Sequence, residues 1–295
     1  MKRSQKATIL VIAGAMMWGT YGSFVTVIGR SGMQESTLIF LRFLATALPV
    51  LLYLLFRDRS QLRIKRKDWI LFAANGLASI LFFTSCYTAA IRETKIATAA
   101  ALLYTSPAMV MLLSAMLFGE KLGVRKVFSI LIAILGCALV SGIGPGENAL
   151  TAKGLALGLG AALGYSLYSI FSRMIQERGY SPFTNVLYTF SIAAAAYFLL
   201  SAANGSLSDI PRLPAASLLS VLCGLVTGLM AYLLYTAGLH DMEPSRAAQL
   251  ATVEPVFAAV LGVLLFDQKL SATEILGIVL VVFAVIFANR SAGKS

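Results

Sequence analysis

The sequence predicts an all-α integral membrane protein. Ten spanning helices form two inverted five-helix repeats around a central cavity, with both chain ends in the cytoplasm. Three observations predict it. The 295 residues are 58% hydrophobic and 13% charged, with a mean hydropathy of +0.82, whereas a soluble domain carries about 25% charged residues. The apolar residues gather into runs near 20 long, the length at which a helix crosses a bilayer. The second half of the chain repeats the first at a fixed shift of 148 residues. This composition excludes a soluble enzyme, a disordered tail and a nucleic-acid module, despite a net charge of +11.

The first span, 7–29, follows the basic start Met1-Lys-Arg-Ser-Gln-Lys6. That start resembles a signal-peptide n-region. The apolar run from Ala7 to Ile28 is too long for an h-region, however, and no small-residue cleavage site follows it, so it reads as a signal anchor and first span. The remaining spans are expected at 36–56, 69–91, 96–118, 125–143, 153–175, 182–203, 214–239, 245–266 and 272–290. Turn residues punctuate them at Gly29-Arg-Ser-Gly32, Gly142-Ile-Gly-Pro-Gly146, Asn204-Gly205 and Pro211-Arg-Leu-Pro214. Connections this short leave no room for a soluble domain.

Orientation follows from charge. With the N-terminus inside, Arg30, Arg92, Lys95, Lys153, Arg212 and Lys269 fall outside and Arg42 falls within a span; the other 17 of the 24 Lys and Arg fall inside. Positive residues are retained on the cytoplasmic side. The bias survives only if the number of spans is even, which supports ten spans with both ends inside. The Arg57–Lys67 run belongs to this retention and to lipid headgroup contact rather than to nucleic acid.

Cys86, Cys137 and Cys223 each lie in an apolar run without CxxC spacing and read as small buried hydrophobes. With His240 the single histidine, no His/Cys metal cluster can be assembled. Gly158-Leu-Gly160 with Gly164 has helix-packing spacing and no strand before it, so a dinucleotide reading fails. There is no ATP-binding P-loop; a gradient or the solute itself must supply the energy.

The repeat is specific. At a shift of 148, Gly76-Leu77 meets Gly224-Leu225 and Tyr87-Thr88-Ala89 meets Tyr235-Thr236-Ala237. Ala99-Ala100 meets Ala247-Ala248, Pro107 meets Pro255, Phe118 meets Phe266, and Lys121-Leu122 meets Lys269-Leu270. This divides the chain into a first repeat, 1–147, and a second, 148–295. Five helices per repeat is an odd number, so the second copy enters the membrane in the opposite sense. Inverted repeats are a transporter architecture, with the solute site near the midplane.

The sequence resembles the drug/metabolite transporter superfamily, in particular its ten-helix EamA-type exporters. The residues that carry the resemblance are Trp18-Gly19, Leu41-Arg42-Phe43, and Tyr87-Thr88-Ala89-Ala90 running into Thr105-Ser106-Pro107 and Phe118-Gly119-Glu120-Lys121-Leu122. Val253-Glu254-Pro255 and Phe266-Asp267-Gln268-Lys269 are the second-half counterparts. Asp267-Gln268 stands where the family usually shows Gly-Glu. The resemblance covers essentially the whole chain. It implies two EamA-like five-helix domains around a central cavity and export of small metabolites, amino acids or drugs.

Several residues are candidates for function. Pro107 and Pro255, each in mid-span, would free the carbonyls of Leu103 and Ala251 and act as paired hinges or as tolerated kinks. Glu254 is the deepest carboxylate, costly at the midplane unless it faces protein or water. It could bind an ammonium, carry a coupling proton, or serve as a hydrogen-bonded structural group. Arg42 is the one deep basic residue and reads equally as a structural clamp or a carboxylate ligand. Trp18 and Tyr21 share a face of span one that Tyr165 and Tyr168 repeat in span six. Asn75 and Ser79 share a face of span three; Ser245, Gln249 and Thr252 share one of span nine; Tyr104 and Thr252 are repeat mates. Such a polar and aromatic set can line a cavity for a small amphipathic solute, or serve as interfacial belt and interhelical glue.

The expected function is thus a secondary transporter in the cell inner membrane. It would export a small metabolite, an amino acid or related zwitterion, by alternating access. Drug or organic-cation efflux is the alternative, and a membrane-embedded enzyme or scaffold the remote one. No cofactor, metal or nucleic acid is expected. The expected partners are a small solute, protons as candidate coupling ion, and membrane lipid; the fused repeat would let a monomer function.

Overall fold

The computed structural model of the protein describes residues 3–94, 96–141 and 151–291. The expected turn at 142–146, the boundary at 147/148, and Lys2, Lys95 and Lys294 lie outside the described residues. In chain order the main helices are α1 (Arg3–Gly29), α2 (Glu35–Arg57), α3 (Arg66–Glu93), α4 (Thr98–Phe118), α5 (Val124–Val140), α6 (Ala152–Glu177), α7 (Pro182–Ala203), α8 (Pro214–Leu239), α9 (Pro244–Phe266) and α10 (Ala272–Ser291). Among the described residues every regular element is helical. Eight of these helices are long and apolar enough to cross a membrane, and Ala272–Phe287 within α10 is a shorter apolar helix. α5, at 17 residues, is shorter than each of these eight and carries Arg125 and Lys126 in its first turn.

The distribution of polarity is that of a body solvated by lipid. Phe56, Met116 and Val124 are 86%, 81% and 87% exposed, while Thr37, Thr46, Asn75, Ser172 and Asn185 are fully buried. Without water to serve them, polar side chains turn inward and bond across helices.

Three of the expected continuous spans are broken. α1 divides at Thr20 into Arg3–Gly19 and Tyr21–Gly29. α4 divides at Tyr104-Thr105, its first piece belonging to the helix Ile96–Leu103 and its second being Ser106–Phe118, and α9 divides at Thr252 into Pro244–Ala251 and Val253–Phe266. One device heals all three breaks. The hydroxyls of Thr20, Thr105 and Thr252 donate to the carbonyls of Met17, Leu102 and Gln249, each at 2.7 Å. A threonine hydroxyl can satisfy a carbonyl that a helix break exposes to hydrocarbon. Pro107 and Pro255 therefore sit in the first turn of a restarted helix, where a missing N–H costs nothing. The carbonyls covered are those of Leu102 and Gln249, not the Leu103 and Ala251 carbonyls expected from a kink.

α3 and α8 carry a second irregularity at matching places. Each widens into a π-helical stretch, Asn75–Leu81 and Gly224–Met230, a feature that often marks functional sites.

Packing partners exchange between the halves. α1 lies against α8 and α9, while α6 lies against α3 and α4. α2 packs on α8 and α7 on α3. α2 pairs with α7 and α5 with α10. The pattern is unchanged when each helix is replaced by the one five further along. Each half therefore packs mainly against the other, and neither is closed alone. Small residues allow the close approaches. A Cβ on Gly136 would lie 2.9 Å from the Gly277 carbonyl oxygen, and one on Gly277 would lie 2.7 Å from that of Gly136.

Candidate functional site

The break in α9 positions the central carboxylate. Glu254 is the second residue of the restarted helix Val253–Phe266, in its first turn. Its backbone packs against α1, since a Cβ on Gly19 would lie 2.8 Å from the Glu254 carbonyl oxygen. The Tyr165 hydroxyl of α6 donates to Glu254 Oε2 at 3.3 Å. Tyr87, Tyr104 and Tyr232 lie within electrostatic reach of the same carboxylate.

Arg42 forms the other charged wall and is 7% exposed. Its Nε donates to Thr227 Oγ1 at 2.9 Å and its Nη2 to the Thr227 carbonyl at 3.3 Å. These bonds clamp α2 onto the π-helical stretch of α8. The guanidinium stacks over Tyr21, 4.4 Å from the ring centroid, a cation–π contact strengthened by burial. No ion pair closes between Arg42 and Glu254.

An aromatic cluster joins the two walls. Trp18 meets Tyr165, Tyr232 and Tyr235 at centroid distances of 5.9, 4.9 and 5.0 Å. With Ser79, Phe83 and Tyr168 these rings line a narrow cleft. The indole N–H of Trp18 is buried there without a hydrogen-bond partner. A buried donor left unmade is expensive, so this N–H is a preformed place for an acceptor.

The structure thus brings together Trp18, Tyr21, Arg42, Tyr104, Tyr165 and Glu254, with Ser79 and Tyr168 on the adjoining cleft. Tyr168 is itself tied to Thr236 at 2.7 Å. Asn75, Gln249 and Thr252 are placed differently, each bonded to another side chain or to the backbone. Asn75 Nδ2 donates to Asn185 Oδ1 at 2.9 Å and to Thr189 Oγ1 at 3.0 Å, and its Oδ1 accepts from Ser79 at 2.8 Å. Gln249 donates to Ser129 and is 2% exposed. Thr252 caps the break. Asn75 and Gln249 thus tie neighbouring helices together, and Thr252 bonds within its own span. Sequence reasoning passed over Tyr87, Tyr232 and Tyr235. Tyr87 and Tyr235 were visible only as markers of the repeat, and Tyr232 has Thr84 as its first-half mate.

A latch closes one end of the bundle. Lys126 Nζ at the start of α5 lies 2.7 Å from Glu120 Oε2, beyond the end of α4, and 2.9 Å from Glu243 Oε2, just before α9. Ser245 also donates to Glu120. A cavity of about 670 Å³, lined by Glu120, Lys121, Arg173, His240 and Glu243 among others, opens beside it. At the opposite end Arg92 pairs with Glu35 at 3.3 Å and Lys153 with Glu93 at 2.5 Å, both largely exposed. Among the described residues no group of three His, Cys, Asp or Glu is placed to hold a metal ion.

Comparison with known proteins agrees with this architecture. The profile described as the EamA-like transporter family matches residues 5–142 and 152–290. An uncharacterized transporter of Archaeoglobus fulgidus is 28% identical over 284 residues, 95% of each chain. A probable amino-acid metabolite efflux pump of Escherichia coli is 24% identical, over 94% of this chain and 93% of that one. A solved crystal structure superposes with a TM-score of 0.82 at 20% identity, over 98% of both chains, a likeness of fold.

Proposed function

The chain belongs to the EamA-like transporter family, and on that premise we propose that it is a secondary transporter exporting a small amino-acid-like zwitterion across the cytoplasmic membrane by alternating access. The observation that carries this reading is the Tyr165 hydroxyl bond to Glu254, beside the cleft that Tyr165 lines with Trp18 and Tyr232, while the buried Arg42 forms no ion pair with that carboxylate. A solute ammonium suits Glu254. Its carboxylate suits Arg42 and the partnerless Trp18 N–H, and apolar substituents suit the rings between. The E. coli relative, a probable amino-acid metabolite efflux pump, supports the solute class and the outward direction.

Ten spans with both ends inside complete the reading, and two inverted repeats, 1–147 and 148–295, supply the alternation. The interchanged packing of the halves supports this, since rocking one half would re-pack both ends of the cavity. The aromatic wall favours a second reading, efflux of an organic cation held by Glu254 and cation–π contact. Proteoliposomes loaded with an amino-acid and organic-cation panel, with and without a proton gradient, test both. Saturable efflux of zwitterions supports the first, efflux confined to cations supports the second, and no saturable flux of either class overturns both.

A further inference from the structure

The basic run between α2 and α3 ends in a built pocket that the transport cavity does not use. Lys65, Lys67, Asp68 and Arg178 line a cavity of about 320 Å³ where α3 begins beside the α6–α7 turn. The carboxylate is committed. Arg178 Nη1 lies 2.6 Å from Asp68 Oδ1, and the Tyr180 hydroxyl donates to Asp68 Oδ2 at 2.7 Å. Tyr180 also accepts from the Lys65 backbone N–H at 3.1 Å. Burial, and then the bond to Asp68, push the Tyr180 phenol above its ordinary value, so it stays protonated and donating. Asp68 is 2% exposed, whereas Lys65, Lys67 and Arg178 reach the surface. Neither lysine forms an ion pair with a described carboxylate.

The pocket therefore presents two lysines free of ion pairs beside an Arg178–Asp68 pair, an excess of positive charge that suits an anion. Its position tells which anion. Trp69 and Ile70, the next two residues, are 44% and 80% exposed and start the apolar length of α3. An anion held here would carry its apolar part alongside them. Lysine ammonium and arginine guanidinium groups are suited to phosphate oxygens, and basic pockets at helix ends on the cytoplasmic side hold anionic headgroups.

We propose that Lys65, Lys67 and Arg178 bind the phosphate of an anionic phospholipid, pinning the start of α3 to the α6–α7 turn. This stands independently of the solute reading. Native mass spectrometry of the full chain, released from vesicles of equal phosphatidylglycerol and phosphatidylcholine, tests it. Phosphatidylglycerol is expected to be retained roughly ten- to thirty-fold over phosphatidylcholine, the yield of two interfacial lysines. The double substitution Lys65→Gln and Lys67→Gln removes two exposed charges without touching the Asp68 contacts, and should erase that preference. Lys121→Gln with Arg125→Gln should leave it intact. Equal retention of the two lipids by the parent, or a preference that survives Lys65→Gln with Lys67→Gln, overturns the proposal. An excess of inorganic phosphate that displaces the lipid and stays bound in its place assigns the pocket to a soluble anion and overturns the lipid.

Discussion

Tyr165 and Glu254 meet across the centre of the bundle, the phenol of α6 donating to the carboxylate of α9 at 3.3 Å. The bond joins an unbroken helix to the restarted half of a broken one. A change in the angle between the halves of α9 would make or break it, so it ties α6 to the helix break beside Glu254.

Glu254→Gln tests the central role. If the carboxylate holds a solute ammonium, binding should weaken about ten- to a hundred-fold whether or not a gradient is imposed, the loss of a charge-assisted contact of about 1.5–3 kcal/mol. If it carries a coupling proton, flux driven by a pH gradient should vanish while solute exchange persists. Gln keeps the shape and can still accept from Tyr165. Unchanged affinity and unchanged gradient coupling would remove Glu254 from both roles.

The restarted helices give the paired prolines their meaning. Pro107→Ala and Pro255→Ala each restore an N–H and permit the two halves of a span to join. Both variants should fold and insert, because the Thr105 and Thr252 hydroxyl bonds remain, yet transport should slow. Flux at matched expression is the measurement; wild-type rates in both variants would make the breaks purely structural.

Lys126 holds the latch. Lys126→Gln leaves Glu120 and Glu243 without their cation and should open that end of the bundle. A cysteine placed at Met242 on the adjoining cavity should then react faster with a water-soluble maleimide, in a background lacking Cys86, Cys137 and Cys223. Equal labelling rates with and without Lys126 would show that the ion pairs do not gate access.

Topology can be tested with the same reagent. Gln61→Cys should resist labelling from outside intact cells and Ser31→Cys should accept it. Ser31 is the better choice because neighbouring Gly32 has φ +79°, which a cysteine side chain would strain. The reverse pattern would invert the orientation.

Much of the fold was legible because its signals are local or periodic. Hydropathy acts on each segment separately, so α2 and α7 emerge within a few residues of their expected limits. The repeat register brought Pro107 and Pro255, and Tyr87 and Tyr235, to equivalent positions before any contact was known. The Trp18, Arg42 and Glu254 candidates stood out because a polar or charged group deep in an apolar run needs a reason. The breaks at Thr20 and Thr252 were not legible. A threonine in a span is common, and only the backbone geometry tells whether its hydroxyl covers an exposed carbonyl.

By itself the sequence determined the solvent, the order of the apolar segments and the family motifs, since each depends on residues close in the chain or at one fixed offset. The tertiary structure alone decided which polar groups pair across helices and which do not. Asn75 is taken by Asn185, 110 positions away, and Gln249 by Ser129, 120 away, while Trp18 is left with an unpaired N–H. Helical spacing fixes which residues share a face. It does not fix what that face meets, because the rotation of one helix against another is set by the packing of all the rest.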